Sequence, residues 1–343
     1  MKTIAMCALL AALAFGLLPG SCEKPAAPDE GLVLLVETGE EAEAPRKAAC
    51  AQQNELETTM TQTSPDAQTV RLLDGGAVRE LSMEDYLTGV LLSEMPADFE
   101  TEARKAQAVA ARTFTCRKLL HPKHEKADVC ADSSCCQAWT SREQLRQKYG
   151  EFFDAVWSAA REAVRQTAGE VLRYDDQLID AVYFSCSGGA TEAAVAVWGT
   201  DVPYLQAVES PGEEAAPRFS SRAVFSPEEF SQRLMQESPD VQLGGSPDAW
   251  LGETTRSAGG GAATCSIGGI SFSGTQLRRI FALNSTRFTL SYQDGNFVFD
   301  VTGFGHRVGM SQYGAQKMAQ LGFSYRAILE YYYQGAQLEK AHF

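Results

Sequence analysis

From Thr69 onward, apolar and polar positions fall into short strand-like and longer helix-like periods. Val70–Leu73 and Ala77–Leu81 flank Asp74-Gly75-Gly76, which predicts a hairpin. Ser82-Met83-Glu84-Asp85 sets a hydroxyl three places before an acid, a helix-start pattern. Tyr86, Leu87, Val90 and Leu91 then recur at helical spacing. Pro96 should end that helix, because the residue before a proline avoids the helical region. An alanine-rich helix is predicted over about 100–120 and another over 151–165. Strands are predicted at 170–174 and 178–184. Residues 210–263 carry Pro, Glu and Gly clusters around a helical stretch at 227–236. Strands at 288–292 and 296–300 and helices at 312–320 and 325–332 follow. Strands and helices that do not alternate as βαβ units predict an α+β fold, mixed helices and short sheets around a substrate cleft.

The N-terminus departs from this pattern. Ile4–Leu18 is uncharged and apolar behind Lys2, yet shorter than the ~20 residues that span a bilayer comfortably. Residues 1–20 read as a signal or membrane anchor. Residues 21–68, rich in Pro, Ala, Glu and Thr, read as a flexible tether, with one apolar patch at Leu32–Val36. The folded domain is expected over 69–343. The whole chain of 343 residues carries a net charge of -14. That balance argues against a nucleic-acid partner, which needs basic patches. It leaves room for a groove that takes a sugar polymer.

Within the folded region, Glu94 lies three and four places after Leu91 and Val90, on the apolar face of its helix. Desolvation there, and the negative end of the helix dipole, both favour a protonated carboxyl. A general acid for glycosidic cleavage needs that form. Asp98, Glu100 and Glu102 are nearby carboxylates, but none is clearly opposite Glu94, so a single-acid mechanism stays open. Of nine cysteines, Cys7 and Cys22 lie in the leader, leaving an odd seven. Cys130, Cys135 and Cys136 cluster just after His121 and His124. Thiolates and imidazoles at this spacing suit zinc. A disulfide such as Cys130 with Cys136 is the alternative, and the adjacent Cys135 and Cys136 should point apart.

Two glycine-rich stretches, 183–189 and 303–314, mix hydroxyls, amides and rings of the kind that contact sugars. A Cys186–His306 nucleophile pair can be formulated, but nothing in the sequence brings the two together.

The ordered motifs Gly89-Val90-Leu91-Leu92-Ser93-Glu94-Met95-Pro96 and Glu102–Thr113, then Tyr183–Gly189, Val197-Trp198-Gly199 and Gly305–Gly314, resemble the stage II sporulation protein D family. The resemblance spans about 69–338. It implies a lytic transglycosylase that cuts glycan strands lacking stem peptides, with Glu94 as the acid and 1,6-anhydromuramic ends as product. It implies substrate contacts at Gln107, Arg112, Thr113, Ser185, Ser187, His306, Ser311, Gln312 and Tyr313. Zinc would be held by His124, Cys130 and Cys136, with Cys135 where relatives often carry His, so the fourth ligand is open. It further implies an exported protein, membrane-anchored through the N-terminal segment on the outer face of the mother-cell membrane. Its partners would be peptidoglycan and stage II sporulation proteins P and M, during engulfment. A non-catalytic wall-binding or amidase-enhancer module is the alternative.

Overall fold

A computed structural model describes residues 68–340. The expected anchor, and all of the expected tether but Gln68, lie outside the described residues. The fold is α+β, with six small sheets interleaved with helices. The chain opens on β1 (Thr69–Asp74) and β2 (Ala77–Ser82), paired antiparallel from Thr69↔Ser82 to Asp74↔Ala77. Gly75 and Gly76 turn this hairpin at φ 55° and 87°, the left-handed pair that a two-residue loop requires.

Ser82 caps α1 (Met83–Glu94), its hydroxyl accepting from Asp85 N–H at 3.1 Å. Met95 is already extended before Pro96, so Glu94 is the last helical residue. The following helix, α2 (Thr101–Leu120), buries Ala103, Ala106, Ala108, Val109, Ala110 and Ala111. Small side chains over most of its surface let neighbours pack closely, and α2 is the central helix of the fold. Around it stand β3 (Val129–Cys130), α3 (Arg142–Tyr149), α4 (Phe153–Gln166), β4 (Glu170–Tyr174) and β5 (Gln177–Leu178). The strand predicted at 178–184 is split between β5 and β6 (Tyr183–Phe184), which belong to different sheets. Next come β7 (Gly189–Ala190), α5 (Ala194–Trp198) and β8 (Glu209–Ser210).

A second core then begins. It contains β9 (Ser220–Phe225), α6 (Pro227–Glu237), β10 (Leu251–Arg256), β11 (Ala262–Ile267), β12 (Ile270–Ser273) and α7 (Gly274–Ile280). It closes with β13 (Phe288–Gln293) and β14 (Asn296–Thr302). Its interior is aromatic, with Phe230 stacked on Phe297 at 3.8 Å between ring centres and Phe281 and Phe299 against them. The chain then returns to the first core through β15 (Met310–Ser311), α8 (Gln312–Gln320), α9 (Tyr325–Tyr332) and β16 (Gln337–Lys340). There β15 pairs parallel with β6, and β16 pairs antiparallel with β4. The folded region therefore holds two cores, the second inserted between segments of the first.

A buried ion pair pins the two together. Arg307 and Glu192, 0% and 2% exposed, meet at 3.0 Å. Arg307 also donates to the carbonyls of Ser187, Ala190 and Gly259. Glu192 accepts from Gly261 N–H and Ser257 Oγ of the second core. Arg307→Met should leave Glu192 charged and unpaired in the interior, destabilising the protein by ~3–5 kcal/mol in urea unfolding. A loss below ~1 kcal/mol would show that the pair does not join the cores.

Candidate functional site

Glu94 opens into a cavity of about 500 Å³ that draws on both cores. Its wall includes Phe114 of α2, Ser133, Ser134, Cys136 and Gln137 of the loop after β3, and Tyr183–Ser185 of β6 and the residue after it. Arg278 of α7 and Phe304–His306 with Gln312 complete it. A larger cavity of about 660 Å³ on the second core carries one carboxylate, Asp300, already paired with Arg222. Glu94, Ser185, His306 and Gln312, all singled out by sequence, line the first.

The Glu94 carboxylate is held at both oxygens. Oε1 accepts from Ala138 N–H at 2.7 Å and Oε2 from Gln312 Nε2 at 3.3 Å. Burial raises its pKa, and these two hydrogen bonds only partly oppose the shift. Gly89 makes the Ala138 contact possible. A Cβ at Gly89 would stand 2.3 Å from Trp139 Nε1 and 3.1 Å from Thr140 O, so only glycine lets the 137–140 strand of loop lie on α1. Any reaction that uses Glu94 as an acid should slow as pH rises through its elevated pKa, a profile that a rate–pH curve reads directly. The sign for stability is the same. The raised native pKa contributes stability at low pH that is lost as the carboxyl ionises.

His306 lines the cavity beside Phe184 and Trp198, whose rings lie 5.6 and 5.5 Å from its own. Loss of water, then the charge of Arg278, pushes its pKa down to about 4. Nδ1 accepts from Val308 N–H at 3.1 Å, so the neutral ring carries its proton on Nε2. Trp198, against the His306 ring, is 47% exposed, an aromatic face open to solvent. Gln137 sits under the floor. Tyr183 Oη donates to its Oε1 at 2.7 Å, and its Nε2 donates to Tyr86 Oη and Thr115 Oγ1.

The expected substrate contacts divide. Ser185, His306 and Gln312 line the cavity with Glu94. Gln107, Arg112, Thr113, Ser187 and Ser311 do not, and all five are fully buried. Arg112 donates to the carbonyls of Val164 and Glu170, joining α2 to α4 and β4. Thr113 Oγ1 accepts from Leu172 N–H, and Ser311 caps α8. Ser187 is enclosed by Glu213 and Ser210. These polar side chains are bonded within the interior and are not brought to the cavity with Glu94. Gln107 is sealed inside α2's packing, and Tyr313 packs edge-on to Phe99, away from the cavity wall. Cys186 is buried off the cavity wall and its thiol is pushed up to about 11 by burial, so the Cys–His pair does not form. Asp98, Glu100 and Glu102 also lie off the wall, and Glu102 is paired with Lys105.

The Cys/His cluster adjoins the cavity. His124, Cys130, Cys135 and Cys136 bring one donor atom each within 4.8 Å of one another. His124 Nε2 is 3.7 Å from Cys135 Sγ and 3.5 Å from Cys136 Sγ, and the two sulfurs are 4.0 Å apart. Zinc with ~2.3 Å bonds to sulfur and ~2.0 Å to nitrogen needs edges of roughly 3.5–3.8 Å, so the donor set fits. The two adjacent cysteines were expected to diverge. They converge because Cys135 and Cys136 both donate from N–H to Asp132 O, a tight turn that swings both thiols to one side. Burial pushes the Cys136 thiol up to about 12. No disulfide occurs among the described residues, and Cys130 and Cys136 are free thiols.

A family model described as a Stage II sporulation protein matches residues 74–174, the range that holds Glu94 and all four cluster residues. Stage II sporulation protein D of Bacillus subtilis (strain 168) is 37% identical over 269 residues, 77% of this chain and 76% of its own. That of Bacillus amyloliquefaciens is 36% identical over 282 residues, 81% of this chain and 80% of its own. An amidase enhancer of Bacillus subtilis (strain 168) is 29% identical across 74% of this chain and 40% of its own. The chain belongs to the stage II sporulation protein D family of sporulation proteins.

Proposed function

We propose that the chain is a lytic transglycosylase that cleaves peptidoglycan glycan strands lacking stem peptides, with Glu94 as the catalytic acid. One observation carries this reading. Glu94, held toward its protonated form, is the sole carboxylate among the described residues on a cavity wall of rings, hydroxyls and amides. Its proton would pass to the glycosidic oxygen between muramic acid and glucosamine as the bond to C1 breaks. The carboxylate left behind takes the proton of the muramic C6 hydroxyl as that oxygen bonds to C1. Glu94 is thereby reprotonated, no water is consumed, and the strand ends in 1,6-anhydromuramic acid. A hydrolase would want a second carboxylate to activate water. Gln312 orients Glu94, while Ser185, His306 and the Trp198 ring would contact sugar.

His124, Cys130, Cys135 and Cys136 would hold zinc. Four protein donors leave no place for a bound water, so the ion would supply a structural cross-link rather than an activated hydroxide. That cross-link would steady the loop that brings Cys136 and the Ala138 N–H to the cavity. In the same reading, the protein is exported, anchored through residues 1–20 on the outer face of the mother-cell membrane, and works in engulfment with stage II sporulation proteins P and M.

Digestion of peptide-free strands, followed by mass spectrometry, should reveal anhydromuramic ends. Similarity to an amidase enhancer favours a second reading, a wall-binding module without turnover. Strands bound but left intact by zinc-loaded protein, together with faster turnover by an added amidase, would decide for that module.

A further inference from the structure

Two side chains on the cavity wall can carry full charge at neutral pH outside the Cys/His cluster, Glu94 and Arg278. They differ in how they are satisfied. Both oxygens of Glu94 are taken by Ala138 and Gln312. Arg278 makes one hydrogen bond, from Nε to Leu283 O at 3.2 Å, which fixes the plane of the guanidinium. Among the described residues no carboxylate pairs with it, and neither Nη group has a hydrogen-bond partner. Its neighbour Arg279 shows the contrast, forming two hydrogen bonds to Glu237. Arg278 is thus a half-buried, oriented fork of N–H donors facing a cavity whose described carboxylate, Glu94, is bonded to Ala138 and Gln312 instead.

A guanidinium in that state matches a carboxylate, which accepts two parallel N–H bonds. Polymer chemistry supplies one. When a stem peptide is removed from muramic acid by cleavage of its amide, the lactyl group is left as a free carboxylate. With the peptide in place the same position is a neutral amide, which offers one carbonyl oxygen and adds bulk. Resting on the transglycosylase reading above, we propose that Arg278 binds the free lactyl carboxylate of muramic acid and is the residue that selects strands without stem peptides. The second core would therefore act as the substrate reader, lining the same cavity as the acid on α1. Burial, which lowers the pKa of Arg278, also leaves it charged and poorly hydrated, so a carboxylate gains more from it than from an arginine in open water.

The test uses the whole protein and a muramic-acid-containing tetrasaccharide in two forms, the free lactyl acid and its carboxamide. Calorimetric titration should show the free acid binding at least roughly tenfold more tightly, with that preference falling as salt rises. In Arg278→Gln the preference should vanish through weaker binding of the acid alone, and Arg278→Lys should restore part of it. Equal affinity of the unmodified protein for the two forms, or an undiminished preference in Arg278→Gln, would overturn the proposal. So would weaker binding of both forms by the same factor, which would mark a structural role. Product analysis of the same strands separates this from the catalytic reading. Selective binding of the acid without anhydromuramic ends would keep Arg278 as the reader and remove the transglycosylase.

Discussion

Glu94→Gln is expected to reduce the formation of anhydromuramic ends by roughly 10²–10⁴-fold, the usual worth of a positioned acid. The substitution keeps the shape of the side chain, and the amide oxygen can still accept from Ala138 N–H where Oε1 does now. What disappears is the proton. Because the native carboxyl has a raised pKa, ionised Glu94 weighs against the fold at neutral pH. The variant should therefore melt no lower than the parent at pH 7, and higher if anything. Loss of product with undiminished melting and strand binding would assign Glu94 to the chemical step. Unchanged product would sink the assignment, since among the described residues no other carboxylate lines the cavity.

Removing the metal donors is the second large effect expected. Protein purified under reducing conditions without chelator should carry about one zinc per chain. Cys136→Ser should abolish that stoichiometry and lower the melting temperature by roughly 10 °C or more. A structural zinc site stabilises by several kcal/mol, and each kcal/mol moves the midpoint of a domain this size by about 2–4 °C. Activity should fall with it, because Cys136 lies two residues before the Ala138 N–H that holds Glu94. Cys265→Ser, in the second core and far in sequence from the cluster, is the control and should leave zinc content unchanged. A zinc-free, fully stable and active protein would remove the metal from the site altogether.

What the sequence made legible was local. The hairpin at Gly75-Gly76, the Ser82 cap, the Pro96 stop and the apolar side of Glu94 are all consequences of residues within a few positions of one another. The Cys/His cluster spans only residues 124–136, and its closeness in sequence was visible, although the turn at Asp132 that aligns the two adjacent thiols was not. Contacts made across the chain were hidden. Gln312 reaches Glu94 from 218 positions away, and it was found through a motif rather than through its partner. The Ala138 bond uses a backbone amide, so no side chain announces it. Arg278 sits on α7 of the second core, more than 180 positions from Glu94, and no local pattern ties the two together. Ser187, Ser311, Arg112 and Thr113 turn to the interior and not to the cavity, which their residue type does not announce. Residue type tells that a polar group needs a partner, but not whether the partner is a ligand or the interior.

Ser220 and Thr302 are register partners at one end of the β9–β14 pair, so the inserted core leaves and rejoins the first at nearly one place. During synthesis this arrangement imposes an order of events. All strands and helices of the inserted core have emerged by Thr302, while β4 still lacks β16 and β6 still lacks β15. The ribosome therefore releases a chain whose middle can finish folding before its beginning. The Glu94 cavity is completed after the inserted core, because Gln312, which bonds the carboxylate, follows β14 in the chain.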